Sequence, residues 1–522
     1  MERIDSIVVG GGMAGLTASS YLANAGKSVA LFEKIYYFGG LVNSFKRGEF
    51  TFDGGLRSIE NSGIIFPMLK QLGIEIEFVK SHVSLVVGTS VLRLSGNESI
   101  DQYQDFLIKE FPEDKADVIR IIQEIKKITK YMDVLYGIDN PVFMDLKSNP
   151  AYLMKVLLPW LFRFLMTIRK IEKLNEPIYP YLSRFTSNQK LIDNIAQHFF
   201  KDTPSSFALS YFSLYNDYNY PMGGTEMLPN KLRDFAEEKG AQLHLKTAIV
   251  KLDPEEKYVE DNHGNKYYYK KLIWACDLKT LYKIIDTDQV RDQKIKEIVL
   301  KRREEMKDLV GAESVFTSYI TVNKPPEYFG NIATEHVFFT PSKVGLSNVK
   351  CTAEDKPAIK AYLKDYVQYN TLEISIPALR DLSLAPEGET GIEISLLFDY
   401  KLTKKIVEQG WKKEFKHYME ELINEQMIKL YPEIENNIIK QFSSTPLTVE
   451  RYTSNTDGAI VGWSFANPVI PVVHKFREVA KSINTPIKDV FKAGQWTYSP
   501  AGVPIAILTG KMAADKVIKE LK

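Results

Sequence analysis

Cysteine is nearly absent from this chain. Its 522 residues hold two, Cys276 and Cys351. That is too few for a disulfide framework, and their spacing matches no zinc pattern. A reducing compartment, the cytoplasm, is the expected setting. Net charge is lacking as well: 67 Lys and Arg stand against 66 Asp and Glu, a balance of +1, so nucleic acid is not expected as a partner. No run of about 18 uninterrupted apolar residues occurs, and no helix is expected to span a bilayer. Only Met1-Glu2-Arg3 precede the first apolar run, so no signal peptide is expected. The seven histidines are scattered. They make no metal cluster and no Ser-His-Asp arrangement, and there is no second phosphate loop. His198, His244 and His417 fall on helix or strand patterns and read as structural. No metal is expected.

Against these absences stands one information-rich stretch. Ile4 to Val9 is a short β-branched run, as a buried parallel strand requires. Gly10, Gly12 and Gly15 follow in G-x-G-x-x-G spacing. Leu16, Ala18, Tyr21, Leu22 and Ala25 then repeat at helical spacing up to Gly26, a helix terminator. Ser28 to Phe32 is a second strand, ending at the acid Glu33. Each glycine has a mechanical reading: Gly10 for the tight turn, Gly12 for close approach of a pyrophosphate, Gly15 for helix–strand packing. The helix N-terminus at Met13 and Ala14 offers free N–H groups to phosphate. Glu33 stands about twenty residues on, where a carboxylate accepts from ribose hydroxyls. A dinucleotide site is therefore expected. An ordinary glycine-rich turn would leave the strand, helix and terminal acid uncorrelated.

A chain of this length fills more than one core, and two intertwined domains are expected. Asp101 to Met132 reads as helical, with an apolar stripe among Glu and Lys. Pro150 to Lys173 mixes Val156-Leu157-Leu158-Pro159-Trp160-Leu161-Phe162 with Lys155, Arg163, Arg169 and Lys170. It reads as a core helix kinked at Pro159, a lid over an apolar tunnel, or a helix in a membrane interface. Tyr211 to Tyr220 is aromatic-rich. Gln242 to Leu252 and Leu272 to Cys276 read as strands, as do Ser314 to Val322 and Ile392 to Phe398. Lys404 to Leu430 reads as one long helix.

Several of these segments together carry a resemblance. Gly10 to Gly15, Glu33-Lys34, Gly39-Gly40 and Asp53-Gly54-Gly55 resemble the FAD-binding start of phytoene desaturases, carotenoid isomerases and retinol saturases, within the flavin amine oxidase superfamily. That group usually carries Arg after the Gly-Gly pair; Leu41 stands here. The resemblance resumes at Tyr220-Pro221-Met222-Gly223-Gly224, at the strand bearing Ile249, and at Gly494 and Pro500 to Ala506. It implies FAD as cofactor, contacted by Gly10, Gly12, Met13, Ala14, Gly15, Glu33, Lys34, Gly40, Leu41, Gly55, Leu56, Arg57, Ile249, Gly494, Gly502, Val503 and Pro504. Ile249 would lie near the adenine and Gly502 to Pro504 at the flavin's pyrimidine edge. The implied fold is α/β: a Rossmann-type FAD-binding domain of the glutathione reductase kind, intertwined with a mixed α+β substrate domain. The first would comprise 1–80, 215–285 and 455–522. The second would comprise 81–214 and 286–454, with a helical apolar cap.

The implied activity is desaturation, saturation or cis–trans isomerisation of carbon–carbon bonds in a long apolar isoprenoid, carotenoid, retinoid or lipid. FAD carries the redox chemistry, and a nicotinamide partner would have to dock transiently. Tyr218, Tyr220, Glu226 and Arg57 are the candidate proton donors or orienting groups. Each also has a structural reading: satisfied core tyrosines, a helix-leading acid, and an anion clamp. Two alternatives keep the flavin: an amine or porphyrinogen oxidase on a smaller substrate, and a non-catalytic flavin- or lipid-binding protein. No cysteine lies C-terminal of Cys351 to bond the flavin as in monoamine oxidases.

Overall fold

A computed structural model describes residues 3–94, 96–145, 150–350 and 354–522; Cys351 lies outside them. The chain begins with β1 (Ile4–Val9), α1 (Met13–Asn24) and β2 (Val29–Phe32). Next come the hairpin β3 (Ser44–Arg47) and β4 (Phe50–Asp53), β5 (Ile59–Glu60), α2 (Ile65–Leu72), β6 (Phe78–Lys80), β7 (Val83–Val87) and β8 (Ser90–Arg93). A helical stretch holds α3 (Ser99–Glu110), α4 (Lys115–Tyr136), α5 (Leu158–Ile171) and α6 (Ser205–Leu214). The chain returns through β9 (Tyr218–Pro221), α7 (Met227–Glu238), β10 (Gln242–His244), β11 (Ile249–Asp253), β12 (Tyr258–Asp261) and β13 (Lys266–Trp274). Then follow β14 (Ser314–Val322), β15 (His336–Thr340), β16 (Leu372–Ser375), β17 (Thr390–Phe398), α8 (Tyr400–Glu408), α9 (Lys412–Leu430) and β18 (Ile438–Ser444). β19 (Val490–Lys492) and α10 (Val503–Glu520) complete it.

Two sheets dominate among the described residues. In the first, β10, β2, β1, β13 and β19 run parallel, and β12 and β11 extend it antiparallel. Ile7, Val8 and Val9 are all buried, which explains an unbroken apolar run instead of alternation. α1 and α10 cover one face, and Trp274, Trp463 and Trp496 pack on the other. The second sheet has the order β18-β14-β17-β16-β15-β7-β8. α9 backs it through Phe415, Met419 and Ile423. A third, small sheet, β5-β9-β6, ties β9 to the N-terminal segment.

Several sequence expectations are redrawn. The Gln242 to Leu252 strand is two strands, because the chain turns at Lys246 (φ 55°) and hooks onto Ile35 and Glu33 through backbone bonds from Lys246 and Thr247. The long helix of Lys404 to Leu430 is broken at Gly410, whose φ of 83° ends α8 and lets α9 start afresh. Asp101 to Met132 is likewise two helices, divided at Phe111-Pro112. Of Pro150 to Lys173, Pro150–Ile171 is helical, with a π-helical turn at Leu153–Leu157 ahead of Pro159. It is not a core helix. Met154 is 63% and Phe162 70% exposed, and Leu161, Leu165 and Met166 are exposed with them. The helix is long and apolar enough to cross a membrane, the only such helix among the described residues. Its inner edge is nevertheless fastened to protein: the Trp160 indole donates to the Val134 carbonyl at 2.5 Å, and Ile168 is buried.

Candidate active site

The three N-terminal glycines differ in what surrounds them. Gly10 sits at φ +106°, and a Cβ there would lie 2.3 Å from the Cys276 sulfur. A Cβ on Gly15 would lie 1.9 Å from the Gly10 carbonyl oxygen, so α1 crosses the turn at backbone contact. A Cβ on Gly12 would meet nothing within 4 Å; it would project into a cavity of about 490 Å³. The α1 N-terminus faces this cavity through Gly12, Met13 and Ala14, and no side chain caps it. Its positive dipole end and first N–H groups are left for a ligand.

Glu33 closes one end. Its carboxylate accepts from Gly11 N (2.8 Å) and Ile35 N (3.1 Å). Each oxygen keeps an acceptor position toward the cavity, which Glu33 lines. Burial raises its pKa, against the pull of those two N–H groups. Along the opposite rim, Gly39 N donates to Gly11 O at 2.8 Å, and Leu56 N to Leu41 O at 3.1 Å. A Cβ on Gly55 would lie 2.5 Å from Leu41 O, so this crossing too admits only glycine. The far end is the N-terminus of α10, where Gly502, Val503 and Pro504 line the cavity and no side chain caps the helix. Gly494 lines it from the end of β19, its N–H held by Thr509 Oγ1 at 2.9 Å.

Beyond that end the cavity becomes aromatic, lined by Trp160, Phe207, Tyr211, Tyr215, Tyr218 and Phe338. His198 joins this wall. Its Nε2 lies 3.1 Å from the Tyr215 hydroxyl, and burial pushes its pKa down to about 4. His336 also lines it, stacked between Tyr218 (5.4 Å) and Phe338 (5.2 Å). Its nitrogens reach Glu373 Oε1 at 2.9 Å and Ser58 Oγ at 3.2 Å. Burial lowers the His336 pKa; burial is also the largest influence on Glu373 and raises it, but the His336 hydrogen bond together with the charges of His336, Arg57 and His198 holds that carboxyl below its ordinary value. Arg57 is the only Lys or Arg among the described lining residues. Its guanidinium is already engaged: Glu393 Oε2 at 2.7 Å, Ser395 Oγ at 3.1 Å and the Asp53 carbonyl.

The four candidate catalytic residues separate. Tyr218 and Arg57 line the cavity; Tyr220 and Glu226 do not. The Tyr220 hydroxyl donates to Asp53 Oδ2 at 2.8 Å, with the Arg380 guanidinium 4.8 Å from its ring centre. Asp53 Oδ1 in turn accepts from Thr225 N (3.0 Å), Thr225 Oγ1 (2.7 Å) and Ser44 Oγ (2.7 Å). One buried carboxylate thus joins the Asp53-Gly54-Gly55 and Gly223-Gly224 motifs, and Tyr220 belongs to that joint. Glu226 leads α7, half-buried, its pKa raised by burial. Of the expected cofactor contacts, Gly15, Lys34 and Ile249 do not line the cavity. Gly15 serves packing, Lys34 Nζ donates to Arg451 O (3.2 Å) and Ser454 Oγ, and Ile249 is buried in β11. Glu60, Ser58, His336 and Glu373 line the cavity without having been singled out in sequence. His336 is a β-strand residue at alternation spacing, and Glu60 is an isolated acid in a loop-like stretch, so neither carried a motif.

The residues present fit FAD. The open space over Gly12 suits a pyrophosphate, Glu33 a ribose, and the stretch lined by Gly55 and Gly502 a planar ring. The comparisons agree. The NAD(P)-binding Rossmann-like domain family matches residues 8–72. The chain is 22% identical to a chloroplastic prolycopene isomerase from Daucus carota, covering all of this chain and 81% of that protein. It is also 22% identical to a 4,4'-diapophytoene desaturase (4,4'-diaponeurosporene-forming) from Staphylococcus aureus, over 99% of both. Among solved structures it superposes on cyclohexylamine oxidase from Brevibacterium oxydans, with a TM-score of 0.60 over the whole of both chains at 11% identity. By fold and by its nucleotide cradle the chain is a FAD-dependent oxidoreductase, similar along its full length to carotenoid desaturases and isomerases.

Proposed function

We propose that the protein forms, removes or isomerises carbon–carbon double bonds in a long apolar isoprenoid or lipid chain. The observation that carries this reading is the aromatic passage continuing directly from the ring end of the cradle. Among the described residues its one lysine or arginine is Arg57, which is paired with Glu393 at 2.7 Å. Such walls suit an apolar polyene, which has no charge to pair. The alternative, a flavin amine oxidase, draws support from the fold of cyclohexylamine oxidase, but no lysine lines the cavity among the described residues.

Bound FAD would supply two-electron exchange. The protein would hold it through the N–H groups of Gly12 to Ala14 at the phosphates, Glu33 at the ribose, and Gly55 to Arg57 with Gly502 to Pro504 around the ring. The aromatic wall would exclude water and align the substrate chain. Tyr218, whose hydroxyl burial keeps protonated, would be a neutral orienting group, and Arg57, tied to Glu393 and Ser395, would fix the cavity wall where it stands. In this reading 1–80, 215–285 and 455–522 form the cofactor half, and the remainder the substrate half. The exposed apolar face of α5, with Lys155, Arg163, Arg169 and Lys170 alongside, would rest in a membrane interface. Trp160 lies on the opposite edge and lines the cavity, so the helix would stand between bilayer and passage.

The test is incubation of FAD-loaded protein with 4,4'-diapophytoene and with prolycopene, each in lipid vesicles, followed by chromatography with visible absorbance. A longer conjugated product or a changed isomer is expected. Unchanged polyenes together with flavin bleaching by cyclohexylamine would replace this reading with the amine oxidase one.

A further inference from the structure

Among the described residues three carboxylates line the cavity: Glu33, Glu60 and Glu373. Two have partners. Glu33 accepts from Gly11 and Ile35, and Glu373 from His336. The side chain of Glu60 receives no hydrogen bond from any other described residue. It stands at the end of β5, paired in register with Tyr218, and a Cβ on Gly502 would lie 3.9 Å from its Oε1. The carboxyl therefore sits where the α10 N-terminus meets the aromatic passage. The groups that face it are Asp217, Tyr136, Tyr211 and Tyr218, none of them a cation. Burial, with Asp217 adding to it, brings its pKa up to about 7, the range where a carboxyl both gives and takes protons at neutral pH. Of the two histidines in the lining, His336 has both nitrogens engaged, and His198 is held neutral by burial with its Nε2 on the Tyr215 hydroxyl.

We propose that Glu60 is the proton-exchanging residue of this site. As a carboxylate it takes the proton of a substrate C–H bond whose electron pair becomes the new carbon–carbon π bond. As an acid it returns that proton when a double bond is consumed. The adjacent carbon's hydrogen leaves with its electron pair to oxidised flavin, or arrives from reduced flavin, so each direction moves one hydride and one proton. The assignment rests on the flavin reading above.

The test uses the full chain loaded with FAD, as wild type, Glu60→Gln and Glu60→Asp. The flavin's visible spectrum is recorded from pH 5.5 to 8.5. Wild type should show a one-proton transition near pH 7, Glu60→Asp the same transition displaced, and Glu60→Gln none. Turnover of 4,4'-diapophytoene should fall about a hundredfold in Glu60→Gln at unchanged FAD content. A wild-type spectrum without the transition overturns the assignment, and this holds even if Glu60→Gln fails to fold. A transition that persists in Glu60→Gln, or equal turnover, overturns it too. A wild-type chain that takes up no FAD has no band to titrate, and that failure belongs to the flavin reading.

Discussion

Gly12→Ala and Gly15→Ala separate ligand space from packing space within one motif. At Gly12 the backbone is extended (φ −75°, ψ −177°), which any residue adopts, and the new methyl would touch no protein atom within 4 Å. The ligand-free protein should lose nothing, and the restricted unfolded chain adds about 0.4–1 kcal/mol of stability. The methyl does occupy the space over the first N–H groups of α1. Displacing a pyrophosphate there removes two charge-assisted hydrogen bonds at about 1.5–3 kcal/mol each, an affinity loss on the order of 10² to 10⁴. At Gly15 the methyl would fall 1.9 Å from Gly10 O. Alanine's helix preference returns about 1 kcal/mol, less than the cost of pushing α1 off β1, about 1–3 kcal/mol or more. The assay is thermal unfolding with and without FAD, beside FAD retention on desalting. Gly12→Ala should melt slightly above ligand-free wild type and respond little to FAD, whereas FAD at 100-fold its Kd should stabilise wild type by about 2.7 kcal/mol. Gly15→Ala should melt lower than either. Gly12→Ala that binds FAD within threefold of wild type, or that melts as low as Gly15→Ala, would refute the reasoning.

Arg57→Leu should destabilise the fold by about 3–5 kcal/mol, because it leaves Glu393 buried without its 2.7 Å partner; urea unfolding checks this, and a loss under 1 kcal/mol contradicts it. Glu60 binds a proton in the folded protein up to about pH 7, and in the unfolded chain only to its ordinary carboxylate value. Wild-type stability should therefore fall as pH rises from about 4.5 to 7, by up to about 3 kcal/mol. Glu60→Gln should remove that slope from the ligand-free protein, and parallel pH profiles of urea midpoints would count against it. Phe162→Glu, at the most exposed apolar position of α5, should reduce flotation with anionic liposomes several-fold while leaving FAD content unchanged; equal flotation removes the membrane contact.

The sequence by itself determined the nucleotide cradle. A strand, three glycines, a helix and a terminal acid lie within about thirty residues, and the role of each glycine follows from local backbone geometry that no distant segment alters. The glycine and acid spacing also carried the resemblance that implied FAD. Tertiary structure alone decided what lies beyond the ring end. Alternation puts Tyr218 and Tyr220 on one face of β9, yet only Tyr218 meets the cavity, because Asp53 and Arg380 close over Tyr220. Glu60, Ser58, His336 and Glu373 reach the cavity from β5, the loop before it, β15 and β16, and no spacing links them. The same holds for α5. Apolar residues around most of a helix fit a buried position as well as a membrane-facing one. Only the absence of packing partners over Phe162 and Met154 among the described residues distinguishes the two.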